Sequence, residues 1–435
     1  MAKSIPSPGL ILLAWLVGGL LTLAGALTYA ELGAAIPEAG GQYVYLKHAY
    51  GSLFGFLFGW IVFLVYMTGG IAALAVGFAE YFSHFFPGLG TDKFLFTAEI
   101  YVFETSFEYS LSYGQIIAII VIVCLSVVNY IGVGLGKTIQ NIFTVIKIGF
   151  VLVFIVLGLF IGKVAPVEIF FQPEGFSFSQ MVMGFGVALV AVSWTFDGWN
   201  NINFVAGEIK KPGRNLPLSL IVGTTGVTLL YLLVNVVYFY ALPMPEMIGV
   251  VKIAEKATNI LFGGTAAGLV SAAVIISILG SLNGSILTGP RVYYAMAKDK
   301  LFFQKVARVH LRFHTPTFAI VIQCTWACLL AQSGTFEQLI TFVMVVSIMF
   351  WIAATSSVFT LRKKYPDMSR PYKTWGYPYV PIIFIIASSG ILLNAFVEKP
   401  VESLAGVVIT VLGIPVYYFW KKRSKNFIRV NTLAN

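Results

Sequence analysis

The chain has 435 residues, of which 58% are hydrophobic and 11% are charged, and its formal net charge is +10. Soluble domains carry roughly 25% charged residues, so this composition excludes an ordinary soluble protein and predicts a polytopic membrane protein. Its three cysteines, Cys124, Cys324 and Cys328, all lie within apolar stretches. Their odd number and their spacing argue against a disulfide framework and against a metal site.

Apolar stretches long enough to form membrane helices, which need about 20 residues, recur along the chain. They occupy residues 9–35, 51–83, 114–134, 138–162, 179–206, 215–242, 264–290, 316–332, 336–361, 377–396 and 401–420. The predicted fold class is therefore an all-α polytopic membrane protein with eleven transmembrane helices. We expect a single transmembrane domain over residues 1–435, ending in a tail at 421–435. The two longest stretches, 51–83 and 179–206, are predicted to be tilted or broken.

Positive charges are sorted between alternate loops. Most of the 28 Lys and Arg residues lie in the loops around residues 47, 137, 210–214, 291–312 and 362–373 and in the tail. Basic loops mark the cytoplasmic side of membrane proteins. We therefore predict a cytoplasmic C-terminus in the plasma or inner membrane. The loop at 87–113, with Asp92, Glu99, Glu104 and Glu108, would be extracellular.

One apolar stretch is interrupted by polar residues. Residues 181–196 are almost wholly apolar and are followed by Asp197, Gly198, Trp199 and two asparagines. Sixteen helical residues reach about 24 Å, short of a hydrocarbon core of about 30 Å. Polar, irregular backbone at that depth is tolerated where it lines a watery cavity, and broken helices of this kind hold the substrate in transporters. The pattern predicts a solute site near residues 194–201.

Two polar side chains lie in the middle of predicted spans. Lys147 is about 13 Å from the start of its helix at residue 138, a distance that favours a functional lysine over one that reaches the surface. Tyr231 needs a hydrogen-bond partner, and the substrate and a neighbouring helix are equally supported. The chain has no Walker motif, nucleophile elbow or zinc signature, which argues against an ATPase or a hydrolase.

Three segments resemble the amino acid–polyamine–organocation transporters. The first comprises residues 26–33 and 37–43, the second residues 196–200, 207–212 and 214–217, and the third residues 280–285 with Arg291. Within that superfamily the chain is similar to the L-type amino acid transporter branch and its bacterial serine/threonine and alanine exchangers. The resemblance covers essentially the whole chain, and it is specific to the family but not to a substrate.

The resemblance implies a LeuT-type fold of two five-helix inverted repeats and two further helices. Residues 9–162 would supply four helices of the first repeat, 179–361 the second repeat, and 377–420 the additional helices. The family's first helix, which carries a carboxylate-binding motif, would precede the loop at Ser4. We therefore expect an open groove beside residues 194–200, and a non-functional, N-terminally truncated reading frame is one alternative.

The resemblance also implies roles for site residues. Trp194 would close over the substrate, and the backbone of Trp194, Thr195 and Asp197 would bind its amino group. The predicted substrate-binding set is Trp194, Thr195, Phe196, Asp197, Gly198 and Tyr231. Asp197 is interpreted as a helix cap or as a counter-ion for a cationic substrate. Lys147, with Ser281 as hydrogen-bond acceptor, would occupy the place where sodium-coupled relatives bind a cation.

The function that follows is sodium-independent exchange of small neutral L-amino acids by alternating access, with proton-coupled symport as the alternative. No enzymatic activity, cofactor or nucleic-acid partner is expected. Animal members of the branch pair with a glycoprotein through a cysteine in the loop after the third helix. The corresponding loop, 87–113, has no cysteine, so we expect no disulfide-linked heavy chain and a monomer or weak homo-oligomer.

Overall fold

The computed structural model describes residues 1–102, 105–160, 169–172, 175–250, 252–332 and 336–433. The helices are α1 (Pro8–Ala35), α2 (Gln42–Tyr50), α3 (Ser52–Ile61), α4 (Met67–Phe82), α5 (Tyr113–Ile131), α6 (Val133–Phe160), α7 (Phe178–Phe196), α8 (Pro212–Ala241), α9 (Met244–Met247), α10 (Ile253–Phe262), α11 (Gly264–Thr288), α12 (Pro290–Lys298), α13 (Thr317–Leu330), α14 (Phe336–Lys364), α15 (Tyr379–Glu398) and α16 (Pro400–Leu433). Strands β1 (Phe94–Val102) and β2 (Thr105–Ser112) form an antiparallel hairpin.

The prediction of a helical, polytopic membrane protein is confirmed. Within the described ranges, ten helices are long and apolar enough to cross a membrane. The stretch predicted at 316–332 forms α13, whose 14 residues reach about 21 Å. Helix α16 continues beyond the predicted span at 401–420, so the predicted tail begins as a helix. The end of the span predicted at 138–162, and Glu104 in the predicted loop, lie outside the described residues.

Both of the longest stretches are irregular in the structure. A π-helical turn, Val62–Tyr66, joins α3 to α4. Such turns insert an extra residue into a helix, which changes the direction of the side chains that follow, and they are frequent at functional sites. The stretch predicted at 179–206 is divided into α7 and a 3₁₀ helix, Asn201–Glu208.

Polar contacts divide the loops into two faces, as the charge pattern predicts. On the basic face, Lys47 Nζ lies 2.7 Å from Asp299 Oδ2, and Arg291 Nε lies 2.9 Å from Glu208 Oε1. On the opposite face, His84 Nδ1 lies 3.0 Å from Glu255 Oε1. Alternate loops therefore meet one another on the same side of the helical bundle.

A buried carboxylate ties α1 to the end of α14 on the basic face. The side chain of Glu31 is 2% exposed. It accepts hydrogen bonds from Arg362 Nε (2.8 Å), Arg362 Nη2 (2.6 Å) and the backbone N–H of Thr374 (2.7 Å). Arg370 Nε lies 3.5 Å from the same carboxylate. These contacts fix α1 against the segment between α14 and α15.

Glycines let α1 approach the helices around the break. A Cβ on Gly18 would lie 2.3 Å from Val192 Cγ1 of α7, and a Cβ on Gly19 would lie 2.2 Å from Thr228 Cγ2 of α8. No side chain fits at these distances, so small residues are required for close helix packing. Helix α1 therefore packs against α7 just before that helix ends at Phe196.

Candidate functional site

The chain leaves helical geometry at the predicted place. Helix α7 ends at Phe196, residues 197–200 form turns, and the 3₁₀ helix begins at Asn201. Gly198 has φ +90°, a conformation that glycine adopts without the steric cost that a Cβ brings. The glycine after Asp197 therefore allows the chain to leave helical geometry at this point.

A cavity of about 660 Å³ opens beside this break. It lies between α4, α6, α7, the 3₁₀ helix and α11. Its polar and charged lining residues are Tyr66, Gln140, Lys147, Trp194, Thr195, Asp197, Asn201, Ser281, Ser285 and Thr288. The cavity thus joins the broken helix to the mid-span lysine, the two features that the sequence singled out separately.

The backbone carbonyls at the end of α7 are already hydrogen-bonded. Asp197 N–H donates to the Trp194 carbonyl (3.0 Å), and Trp199 N–H donates to the Phe196 carbonyl (3.3 Å). The hydroxyl of Tyr231 donates to the Thr195 carbonyl (3.0 Å). Each of these oxygens retains at most its second lone pair. The carbonyls of these three residues are therefore not free for a substrate in the way that the end of a helix would suggest, because a turn and a neighbouring helix supply donors.

Two of the predicted site residues lie behind the cavity and do not line it. Phe196 is 5% exposed, and its ring lies 5.1 Å from the ring of Tyr231 and 6.2 Å from that of Trp15. The bond from Tyr231 to the Thr195 carbonyl corresponds to the helix–helix alternative that the sequence left open. These aromatic residues brace the end of α7, whereas Trp194, Thr195, Asp197 and Gly198 line the cavity.

Asp197 is held by a tyrosine from the π-helical turn. Tyr66 Oη lies 3.0 Å from Asp197 Oδ1 and 3.4 Å from Asn200 Oδ1. Within the described residues, no side-chain cap is found at the start of the 3₁₀ helix. The carboxylate of Asp197 therefore interacts with the π-helical turn across the cavity wall, and it also accepts a backbone hydrogen bond from Gly198 within the turn.

Lys147 and Ser281 are in direct contact. Lys147 Nζ donates to Ser281 Oγ over 3.1 Å, and the serine hydroxyl lies 3.2 Å from the Ser277 carbonyl of its own helix. Both residues line the cavity. The lysine therefore points inward, towards α11, and joins α6 to α11 by a polar contact within the membrane span.

Sequence reasoning missed several polar residues of the cavity. Tyr66 gave the same signal as Tyr231, a tyrosine hydroxyl in mid-span, but nothing in the sequence indicated the π-helical turn that directs it. Gln140 belongs to a buried network in which Asn283 donates to Gln140 Oε1 (2.9 Å) and accepts from Asn129 (2.8 Å). These side chains link α5, α6 and α11 beside the cavity.

The sequence is similar to that of known amino acid permeases and exchangers. Residues 1–419 match the family model described as amino acid permease. The serine/threonine exchanger SteT of Bacillus subtilis is 34% identical over 419 residues, which cover 95% of this chain and 89% of that protein. The human large neutral amino acids transporter small subunit 2 is 30% identical over 443 residues, covering 99% of this chain and 78% of that protein.

A third relative, the mouse Asc-type amino acid transporter 1, is 27% identical over 438 residues, covering 96% of this chain and 76% of that protein. All three names describe transporters or exchangers, and none describes an enzyme. The match to the family model extends over nearly the whole chain, including the broken helix and the lysine-bearing α6. The chain therefore belongs to the amino acid permease family of membrane proteins.

Proposed function

We propose that this chain is a secondary active transporter that exchanges small neutral L-amino acids by alternating access. The observation that carries the proposal is the cavity of about 660 Å³ beside the broken helix, in a chain of the amino acid permease family. Small-molecule pockets commonly have volumes of about 300–1,000 Å³. The names of the relatives support neutral substrates, since they mention serine, threonine and large neutral amino acids.

We propose that the substrate lies against residues 194–198. Trp194 covers it, and acceptors around Thr195, Asp197 and Gly198 orient its amino group. The negative end of the α7 dipole favours a cation at this place. Phe196 and Tyr231 act from behind by holding the end of α7, a role supported by their packing and by the bond from Tyr231 to the Thr195 carbonyl.

Sodium independence is proposed from the contact between Lys147 and Ser281. A lysine ammonium that bridges α6 and α11 provides a fixed positive charge inside the membrane span. Charged groups at such depth are costly and are generally retained for function. In this proposal the ammonium replaces a bound cation, so that transport needs no sodium gradient.

We further propose that the basic face is cytoplasmic and that the protein lies in the cell membrane with its C-terminus inside. The excess of Lys and Arg on one face supports this orientation. We also propose a single transporter domain with inverted repeats in residues 9–162 and 179–361. A disulfide-linked heavy chain is not part of the proposal, because the loop at 87–113 contains no cysteine.

The test is counter-exchange in proteoliposomes that contain the purified chain. Labelled serine outside should enter vesicles preloaded with unlabelled serine at least several times faster than it enters empty vesicles. The rate of this uptake should be the same in sodium buffer and in choline buffer. Uptake that requires sodium would refute the coupling proposal, and a strong preference for arginine would refute the neutral assignment. Rapid uptake into empty vesicles under an imposed pH gradient would favour the alternative, proton-coupled symport.

A further inference from the structure

The loop between α12 and α13 contains a hydrogen-bonded turn at residues 310–315. His310 N–H donates to the Thr315 carbonyl (2.9 Å), and His314 N–H donates to the His310 carbonyl (2.8 Å). The ring of His310 accepts at Nδ1 from the backbone N–H groups of Arg312 (3.2 Å) and Phe313 (3.3 Å). The same ring stacks on that of Phe313, with 4.6 Å between the ring centroids. The turn is therefore held in shape by its own contacts.

The tip of this turn carries an apolar side chain. Leu311 is 92% exposed, and Val309, just before the turn, is 44% exposed. Single exposed apolar residues are common on proteins, but Leu311 belongs to a turn whose hydrogen bonds leave its side chain outside the protein. Covering that side chain with an apolar environment from outside the chain is favourable.

The turn lies where a membrane helix ends. Thr315 Oγ1 donates to the carbonyl of Tyr130 (2.9 Å) in the last turn of α5. Helix α5 is long and apolar enough to cross a membrane, and near this end its residues Val127 and Ile131 are exposed. Exposed apolar residues on a membrane helix face lipid. The turn with Leu311 therefore lies close to the level at which α5 leaves the membrane.

Basic residues surround the apolar tip. Residues 298–312 contain five Lys or Arg residues and one acidic residue, Asp299, which already forms an ion pair with Lys47. Lys305, Arg308 and Arg312 are exposed. Within the described residues, none of these three side chains forms an ion pair with a carboxylate. The surface around the turn is thus positively charged and complements a negatively charged partner.

The end of α16 adds a further positive charge to the start of this loop. The ring of Phe303 lies 5.0 Å from that of Trp420, and the guanidinium carbon of Arg423 lies 5.5 Å from the Trp420 ring. Lys305 follows Phe303 by two residues. Tryptophan is enriched at membrane–water interfaces, so this contact also places the start of the loop near the membrane surface.

We propose that residues 303–314, the basic loop, bind anionic phospholipids, with Leu311 in the interfacial layer and Lys305, Arg308 and Arg312 against headgroup phosphates. Clusters of four or more basic residues beside a membrane helix attract anionic lipids, and with Arg423 the cluster has four. An acidic protein segment would match the charge as well. The exposed apolar tip beside the lipid-facing end of α5 favours a lipid.

The test uses a fluorescent reporter on the full chain, with the native cysteines replaced and the protein in phosphatidylcholine nanodiscs. A fluorophore is attached at Val309→Cys, and a small fraction of the lipid carries a spin label near the headgroup. Spin-labelled phosphatidylglycerol should quench the fluorophore about threefold more strongly than spin-labelled phosphatidylcholine, because nearby basic residues concentrate the anionic lipid. High salt should reduce this preference by screening the charges. A second reporter, Leu311→Cys, repeats the measurement in case the first variant folds poorly.

The matched controls remove the same amount of charge at two places on the basic face. Arg308→Gln with Arg312→Gln should abolish the preference for phosphatidylglycerol, whereas Lys210→Gln with Lys211→Gln should leave it unchanged.

Equal quenching by the two lipids at both reporter positions would overturn the proposal. Weak quenching by either lipid at both positions would place the turn in water and would also overturn it. The measurement involves no transport, so its outcome is independent of the proposed exchange function.

Discussion

Removing the charge of Glu31 should destabilise the fold more than removing an exposed carboxylate. Glu31→Gln keeps the shape of the side chain but replaces one acceptor oxygen by an NH₂ group that faces donors. The carboxylate accepts three bonds, two from Arg362 and one from Thr374 N–H. Hydrogen bonds to charged groups contribute about 1.5–3 kcal/mol each, and breaking a buried ion pair costs about 3–5 kcal/mol. Because Arg362 is 25% exposed and can recruit water, we expect the lower end, about 3 kcal/mol.

The assay measures the thermal stability of the detergent-solubilised protein. Its readout is the fraction of the protein that remains monodisperse after heating to each temperature. The matched control is Glu246→Gln, whose partner Lys256 lies 3.6 Å away with both side chains exposed. Surface pairs contribute about 0–1 kcal/mol, so the control should melt close to the wild type and Glu31→Gln several degrees lower. If the two variants melt together, the cluster around Glu31 does not fasten α1 to α14 in the way its geometry implies.

Three further outcomes are expected. Lys147→Ala should express well but exchange serine more slowly, or with an apparent affinity that changes unequally on the two membrane faces. Lys147→Arg should restore little activity, because a planar guanidinium does not replace a compact ammonium. Wild-type kinetics of Lys147→Ala from both faces would contradict this, and Lys137→Ala on the same helix is the control. Tyr66→Phe should weaken serine exchange about tenfold, since it removes the donor to Asp197, and unchanged exchange would show that this bond is dispensable. Gly19→Leu should reduce the yield of folded protein, because Thr228 leaves no room for a side chain, whereas Gly223→Leu, with nothing within 4 Å of its Cβ position, should not.

The break in the long stretch could be predicted because a membrane imposes a length that sixteen residues do not reach. The same length argument places Lys147 inside a span, where a charged side chain is costly and is generally kept for function. Neither argument needs tertiary structure. Tertiary structure is needed to know whether the carbonyls at the end of α7 are hydrogen-bonded. The bond to the Thr195 carbonyl forms because α8 packs with Tyr231 facing α7.

The acidic residues of the loop at 87–113 predict its side of the membrane but do not predict the hairpin, whose signal is the alternation of apolar and polar residues. Alternation of apolar and polar residues, the ordinary strand signal, is present from Phe96 to Val102, but the unpartnered Leu95 interrupts it. The π-helical turn at Val62–Tyr66 left no sequence signal at all. Helix irregularities of this kind are decided by packing, which composition and periodicity do not contain.

The central claim, that the substrate binds beside the break, is tested most directly by asking whether substrate protects a cysteine in the cavity wall from alkylation. Thr195→Cys, in a chain without its native cysteines, places a thiol on the cavity wall beside the break. Serine should slow its alkylation by N-ethylmaleimide, with half-protection near the concentration that half-saturates exchange, while Thr325→Cys on α13 should react at the same rate with or without serine. An alkylation rate at position 195 that saturating serine leaves unchanged, in protein that still exchanges serine, would contradict the placement of the substrate at this break.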